Sequence, residues 1–169
     1  MDFEYKYLID GSFHAGSKVW VYQSNRLFVL NEALEIEIML KEFTAGWFSH
    51  GMPVKGAGYL FFGQFIVLMA DERATGVSGC STDSSVRLIK EIEQRFGVDM
   101  FNRTLLAFVV KDKIQLIPMS QLQYAIAHGY ISTETLYFNN LVQTKEELEV
   151  NWMVPVKESW LYKKINISV

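Results

Sequence analysis

The stretch of sequence that decides the fold is residues 55–70, which read KGAGYLFFGQFIVLMA. Two runs of strand-forming residues, Lys55–Phe62 and Phe65–Ala70, are separated there only by Gly63-Gln64. Glycine at the first position of a two-residue loop indicates a type II′ turn. Every residue of Phe65–Ala70 is apolar, which is typical of a strand buried on both faces. The stretch therefore predicts a hairpin whose second strand lies in the middle of a sheet.

On both sides of this hairpin the sequence alternates between strands and helices. Val19–Tyr22 is a short β-type run, and apolar residues at helical spacing predict a helix over 32–45 that Asn31 could cap. After the hairpin, a second apolar stripe predicts a helix that ends at Phe96. The start of this second helix could be capped by Ser81, Thr82 or Asp83.

The next strand is Thr104–Val110, and a tight turn at 111–113 leads to a fifth strand, Ile114–Ile117. The order β-α-β-β-α-β predicts a single α+β domain with a ferredoxin-like antiparallel sheet, to which the fifth strand is added. Residues 1–17 are expected to form an N-terminal arm before a core over 18–117. Residues 118–169 are expected to form a C-terminal extension with helical and extended segments.

In this topology the first two strands are parallel, the third lies between them, and two helices cover one face of the sheet. The other face needs a cover as well, because its residues are equally apolar. An aromatic C-terminal tail could supply it, and a homodimer could supply it instead. The aromatic residues of that tail are Tyr137, Phe138, Trp152 and Trp160.

Composition excludes several classes of protein. The formal net charge is -3 and the arginines are scattered, whereas nucleic-acid binders concentrate basic residues on one face. The apolar runs are much shorter than the roughly 20 residues that span a bilayer, so we expect no membrane span. The single cysteine cannot form an internal disulfide, and the acidic N-terminus carries no apolar leader. A reducing cytoplasm is therefore the expected location.

The most suggestive segment for chemistry is the loop Gly76–Asp83, which contains Cys80. A helix N-terminus stabilises a thiolate, because its free N–H groups and dipole favour negative charge. The predicted topology puts His50 and Asp71 at the same edge of the sheet. His50 could exchange a proton with Cys80 while Asp71 orients the histidine, which would make a catalytic Cys-His-Asp arrangement by role.

The same helix start offers a possible site for a small anionic ligand. Free N–H groups at Gly79, the hydroxyls of Ser81 and Thr82, and the guanidinium of Arg87 are groups that bind anions. Capping of the helix explains the hydroxyl residues equally simply. The carboxylate of Asp83 would also repel an anion, so capping is the favoured interpretation.

Metal and cofactor signals are sparse. His14, His50 and His128 are isolated and show none of the spacings typical of zinc sites. No Gly-x4-Gly-Lys-Ser/Thr loop is present, so the sequence does not predict a P-loop nucleotide site. We predict no metal ligands and no cofactor, and keep only a weak alternative in which Asp71 and Glu72 join His50 around a divalent ion.

Four segments resemble a small bacterial family of unknown function whose members are sometimes labelled ABC-transporter ATPase. They are 19–24 (VWVYQS), 78–86 (SGCSTDSSV), 99–103 (DMFNR) and 138–142 (FNNLV). The resemblance extends over most of residues 18–161 and implies no established activity. The ATPase label does not fit, because the chain lacks a Walker A loop.

Three functions follow from these observations. The first is a ligand-binding or protein-interaction domain without catalysis of its own. The second is a thiol-dependent enzyme or redox sensor that uses Cys80 with His50. The third, with least support, is a metal-assisted hydrolase.

Overall fold

The computed structural model describes residues 1–166, except for the side chains of Cys80 and Asn166. Within these residues the chain forms nine strands, five α-helices and short 3-10 turns at Lys6–Leu8, Met119–Gln121 and Val156–Glu158. The strands are β1 (Lys18–Gln23), β2 (Phe48–Ser49), β3 (Met52–Pro53), β4 (Lys55–Phe61), β5 (Phe65–Asp71), β6 (Leu105–Val110), β7 (Lys113–Pro118), β8 (Leu136–Phe138) and β9 (Met153–Pro155). The helices are α1 (Leu30–Ala45), α2 (Gly79–Phe96), α3 (Leu122–Ala127), α4 (Lys145–Asn151) and α5 (Leu161–Asn166).

The strands form two principal antiparallel sheets and one small hairpin. The first sheet has the order β1-β5-β4, the second has the order β7-β6-β8-β9, and β2 pairs with β3. The α+β class and the central position of β5 between β1 and β4 are therefore confirmed. The predicted strand order is not found, because the fourth and fifth strands, β6 and β7, belong to the second sheet instead of extending the first in a ferredoxin-like order.

The edge of β1 explains this difference. In a ferredoxin-like sheet the fourth strand would pair with β1, but the segment before α4 occupies that edge. The N–H of Val19 donates to the carbonyl of Gln143 at 2.9 Å, and the N–H of Lys145 donates to the carbonyl of Ser17 at 2.9 Å. Apolar alternation predicts that a strand exists but leaves its pairing partner open.

The two sheets and the helices stack as four layers. On β5, Ile66 and Leu68 face α1 and α2, while Phe65, Val67 and Met69 face the second sheet. All five of these side chains are fully buried, as the apolar run predicted. The outer face of the second sheet is covered by α3 and α5. The layer order is therefore helices, first sheet, second sheet and helices.

The face opposite α1 and α2 is covered from within the chain. Phe138 and Trp152 from the C-terminal tail pack against Phe65, as one of the two predicted alternatives required. The N-terminal arm contributes to the same core, because Tyr5 packs edge-on against Trp152 with ring centroids 4.9 Å apart. The N-terminal arm thus adds Tyr5, Ile9 and Phe13 to the core, and the open face that suggested a homodimer is covered.

The turn between β4 and β5 is one residue earlier than predicted. Phe62 and Gly63 adopt φ angles of +55° and +63°, so they are the two left-handed residues, and a type II′ turn at Gly63-Gln64 does not form. A left-handed aromatic residue is strained. The ring of Phe62 compensates by packing against Phe138 and Trp152, with centroids 5.8 Å and 5.9 Å away.

The start of α1 differs from the predicted cap. The helix α1 starts at Leu30, so Asn31 lies inside it and is not the cap. The N–H of Val29 instead donates to the Glu32 carboxylate at 3.0 Å. At α4 the cap is Thr144, whose Oγ1 accepts the N–H of Glu147 at 3.2 Å.

Among residues 1–166, none of the helices combines the length and the apolarity needed to cross a bilayer.

Candidate functional site

The start of α2 differs from the expectation in its capping residue. Ser78 is the cap, and Ser81 is the third residue of the helix. The hydroxyl of Ser78 accepts the N–H of Ser81 at 3.3 Å, and the hydroxyl of Ser81 accepts the N–H of Ser78 at 2.8 Å. This reciprocal pair is a capping box. The prediction of a cap at Ser81, Thr82 or Asp83 is therefore wrong by at least three residues, because several polar residues in a row leave the first helical turn ambiguous.

The residues proposed for an anionic ligand have other partners or lie apart. Ser81 is completely buried, and the hydroxyl of Thr82 donates to the carbonyl of Ser78 at 3.1 Å. Arg87 is exposed and donates to Ser84 Oγ at 3.1 Å. Eight residues of α-helix rise about 12 Å, so Arg87 lies two turns away from Gly79. The structure does not bring these four groups to one open site.

The predicted catalytic edge is only partly assembled. His50 is exposed in the β2–β3 turn, with a φ of +51°, and it lines a shallow groove together with loop residues 74–78. The Asp71 carboxylate does not orient this histidine but accepts two hydrogen bonds from Arg73, the shorter at 2.6 Å. The Arg73 guanidinium holds the pKa of Asp71 well below its usual range. The Cys80 side chain lies outside the described residues, so its thiol role stays a prediction.

The carboxylates beside this edge are also engaged. Glu72 accepts the N–H of Val77 at 2.9 Å and forms an ion pair with Lys18 at 3.1 Å. Across the described side chains, no cluster of three or more His, Cys, Asp or Glu residues could hold a metal ion. The groups that bind Asp71 and Glu72 therefore stabilise the loop after β5, and both carboxylates have a structural role there.

A different site lies where the end of β1 meets the start of β6. A cleft of ≈ 70 Å³ opens there between the two sheets. Three separate chain segments and one tail residue form its walls. Its lining residues are Val21, Tyr22, Gln23, Met100, Phe101, Asn102, Arg103, Leu105, Leu106, Tyr137, Phe138, Asn140, Leu141 and Trp160.

The polar floor of this cleft is a continuous chain of hydrogen bonds. The Trp152 indole N–H donates to Asn140 Oδ1 at 3.0 Å, and Asn140 Nδ2 donates to Gln23 Oε1 at 2.9 Å. Gln23 Nε2 then donates to the carbonyl of Leu105 at 2.9 Å. The chain joins the first sheet, the second sheet and the tail, and so it holds both amide groups in fixed orientations.

One wall of the cleft carries a poorly satisfied donor. The Trp160 indole N–H is buried beside the Tyr137 hydroxyl but does not complete a well-aligned hydrogen bond with it or with another group of residues 1–166. Burial raises the pKa of Tyr137 to about 12, and the hydrogen-bonding interaction with the Trp160 indole opposes that rise. Because an indole N–H can only donate, this wall favours a better-placed acceptor.

The opposite wall is aromatic and leads to a single cation. Tyr22 packs edge-on against Phe101 with ring centroids 5.6 Å apart. Burial raises the pKa of Tyr22, while a hydrogen bond with the Ser85 hydroxyl and the charge of Arg103 oppose that rise. Arg103 is exposed, and in the part of the chain that the structure describes no hydrogen bond or ion pair engages its guanidinium. Its charge remains available at the mouth.

A second, wider groove continues from the cleft. Leu141 and Trp160 line both, and the groove has a volume of ≈ 390 Å³. Two acidic residues, Glu147 and Glu158, lie along it. The narrow cleft and the wider groove are therefore neighbours that share a wall at Leu141 and Trp160.

Sequence reasoning missed the cleft because its residues are spread from position 21 to position 160. Three of the four segments that carry the family resemblance, 19–24, 99–103 and 138–142, contribute to its lining, and the fourth supplies Ser85 to Tyr22. The sequence did carry one signal of this site. Amide and arginine residues lie next to aromatic residues just outside the predicted strands. These segments become neighbours only because β6 lies in the second sheet, and the sequence did not predict that placement.

Comparisons of the chain with protein-family models, with curated proteins and with solved structures find no match.

Proposed function

We propose that this protein binds a small molecule in the cleft between its two sheets, with the amide floor and the Trp160 wall as recognition groups. This is the ligand-binding alternative of the sequence analysis, placed at a site that the sequence did not predict. Clefts with apolar walls and a few oriented polar groups are typical ligand sites.

The observation that carries the proposal is the hydrogen-bonded floor. Asn140 and Gln23 each use one N–H and the carbonyl oxygen in the chain from Trp152 to Leu105. Each amide nitrogen carries two hydrogens, so one N–H of each remains after the chain is formed. Donors that are held in place before a ligand arrives bind it with little loss of conformational entropy.

The volume limits what enters. A water molecule occupies about 30 Å³ in the liquid, and pockets for drug-sized ligands reach about 300–1,000 Å³. The ≈ 70 Å³ cleft therefore admits a small head group, and any larger part of the ligand would lie in the adjoining groove beyond Leu141.

The proposal is tested by blocking the mouth. Leu141 is 53% exposed and lines the cleft, so we expect Leu141→Trp to fold and to obstruct entry. Saturation-transfer NMR with a mixture of small planar acids, amides and amines is expected to show binding to the wild-type chain. That binding should be lost in Leu141→Trp.

The matched control is Leu34→Trp on α1, where the leucine is 55% exposed and is not one of the cleft lining residues. Binding should survive in this variant. Equal binding by both variants, or no binding of any fragment to the wild-type chain, would show that the cleft is not a ligand site.

A further inference from the structure

The unused hydrogen-bonding groups of the cleft are predominantly donors. The Trp160 indole N–H and the Arg103 guanidinium can only donate. The indole lies beside the Tyr137 hydroxyl without a well-aligned hydrogen bond to it, and no described residue pairs with the guanidinium. The remaining N–H groups of Gln23 and Asn140 add two more donors. Each amide carbonyl oxygen accepts one hydrogen bond of the floor and keeps its second lone pair. A ligand that contacts Trp160 and Arg103 therefore has to supply acceptors to these two groups.

The charge of the lining residues narrows the class of ligand further. Among the described lining residues of the cleft, Arg103 is the one charged side chain, so a single negative charge balances it. A cationic ligand would meet unpaired donors and a like charge, which is unfavourable in a partly buried site. A neutral ligand could accept hydrogen bonds from the guanidinium but would leave its charge unbalanced.

We infer that the ligand is a small monocarboxylate whose carboxylate enters the cleft between Arg103 and Trp160. This inference rests on the proposed function, since it names the ligand class for the same site. A carboxylate is planar and matches the planar fork of a guanidinium. Its flat shape also suits a narrow cleft with aromatic rings such as Tyr22 and Phe101 on one side.

The adjoining groove explains why one carboxylate fits better than two. Glu147 and Glu158 line the groove that continues past Leu141. A second carboxylate on the ligand would approach these acidic side chains and be repelled. The part of the ligand outside the cleft is therefore expected to be neutral.

The test compares propionate with its neutral isostere propionamide, with the dicarboxylate malonate and with inorganic phosphate. Each probe is titrated into the full chain at constant ionic strength. The indole ¹H–¹⁵N cross-peak of Trp160, identified by its absence in Trp160→Phe, is followed to obtain Kd. We expect propionate to bind most tightly and to shift this cross-peak.

Substitution of the cation gives the sharper readout. Arg103→Gln removes the charge from an exposed residue and should weaken propionate binding severalfold, because an ion pair with an exposed side chain contributes up to about 1 kcal/mol. Propionamide binding should change much less. Arg87→Gln, an exposed arginine in the groove between α1 and α2, is the matched control and should leave propionate binding unchanged.

The outcomes separate the two proposals. If propionamide, malonate or phosphate binds more tightly than propionate and Leu141→Trp abolishes that binding, the cleft is a ligand site but the carboxylate inference is wrong. If propionate binding is insensitive to Arg103→Gln, the inference is also wrong. If no probe binds in a manner sensitive to Leu141→Trp, the proposed function fails as well.

Discussion

The carboxylate of Asp71 is buried between two cations at the end of β5. Arg73 binds it through two nitrogens, and Lys55 Nζ lies 3.8 Å away. The backbone N–H groups of Arg73 and His14 also donate to it. Because Lys55 in turn donates to the carbonyl of Ser12 at 2.8 Å, this cluster fastens the N-terminal arm to the first sheet.

The pH dependence of stability should report this cluster. A carboxyl group with a lowered pKa in the folded state stabilises the fold above its unfolded pKa of about 3.9, and that contribution is lost as the pH falls toward the folded value. We therefore expect the urea midpoint of the wild-type chain to fall below about pH 4. Asp71→Asn should lower the midpoint at pH 7 and flatten its fall in acid.

Asp112→Asn is the control for this prediction, since Asp112 is an exposed carboxylate in a turn with a φ of +58°, a conformation that asparagine tolerates well. Its pH profile should follow the wild type. Parallel acid profiles for Asp71→Asn and the wild-type chain would mean that the Asp71 cluster does not carry the linkage.

At the scale of elements, the start of α2 is set by Ser78 and its bond with Ser81. Replacing Ser78 by alanine removes an acceptor for a helix N–H, which costs about 1 kcal/mol. Urea unfolding should show this loss for Ser78→Ala. Asp83→Ala, an exposed position in the same helix, should change the free energy of unfolding by less than about 0.5 kcal/mol. The reverse ranking would contradict the assigned cap.

The contact between β4 and Trp47, which follows the end of α1, depends on glycine at position 56. A Cβ at Gly56 would lie 2.6 Å from Cε3 of Trp47. That ring cannot retreat easily, because its indole N–H donates to the carbonyl of Ser81 at 3.0 Å in the buried interior. Overpacking of this kind costs about 1–3 kcal/mol, and we expect Gly56→Ala to show it in urea unfolding.

Gly76→Ala is the comparison, since an added Cβ there meets open space. The free energy of unfolding of this variant should stay within about 0.5 kcal/mol of the wild type. A Gly56→Ala chain as stable as Gly76→Ala would show that Trp47 is not tightly held.

At the same scale, the sequence predicted most elements and few of their partners. The all-apolar run 65–70 identified the central strand, because burial on both faces leaves a direct mark on composition. The position of β6 in the second sheet has no comparable effect on the composition of its sequence. Its pairing depends on β8 and on the tail segment that occupies the edge of β1, and these contacts are distant in sequence.

At the scale of the whole molecule, the site depends on the same long-range contacts. The loop Gly76–Asp83 was predictable as a helix entry because serine and glycine signal one locally. The cleft was not, since Gln23 and Asn140 become neighbours only when the tail crosses between the two sheets. A site assembled at a sheet junction has no local pattern, whereas a capped helix does.

The stacking of the two sheets also bears on assembly. The N-terminal arm and the tail cover the face that sequence reasoning had left open, through Tyr5 and Trp152. A homodimer therefore stays a prediction without its original reason, and sedimentation of the full chain would decide it.

A crystal structure of the wild-type chain grown with propionate would show the ligand site directly. We expect the carboxylate in the cleft, with the Arg103 guanidinium and the Trp160 indole N–H both within hydrogen-bond distance of its oxygens. A cleft filled only by water, with propionate bound elsewhere or not at all, would contradict the account.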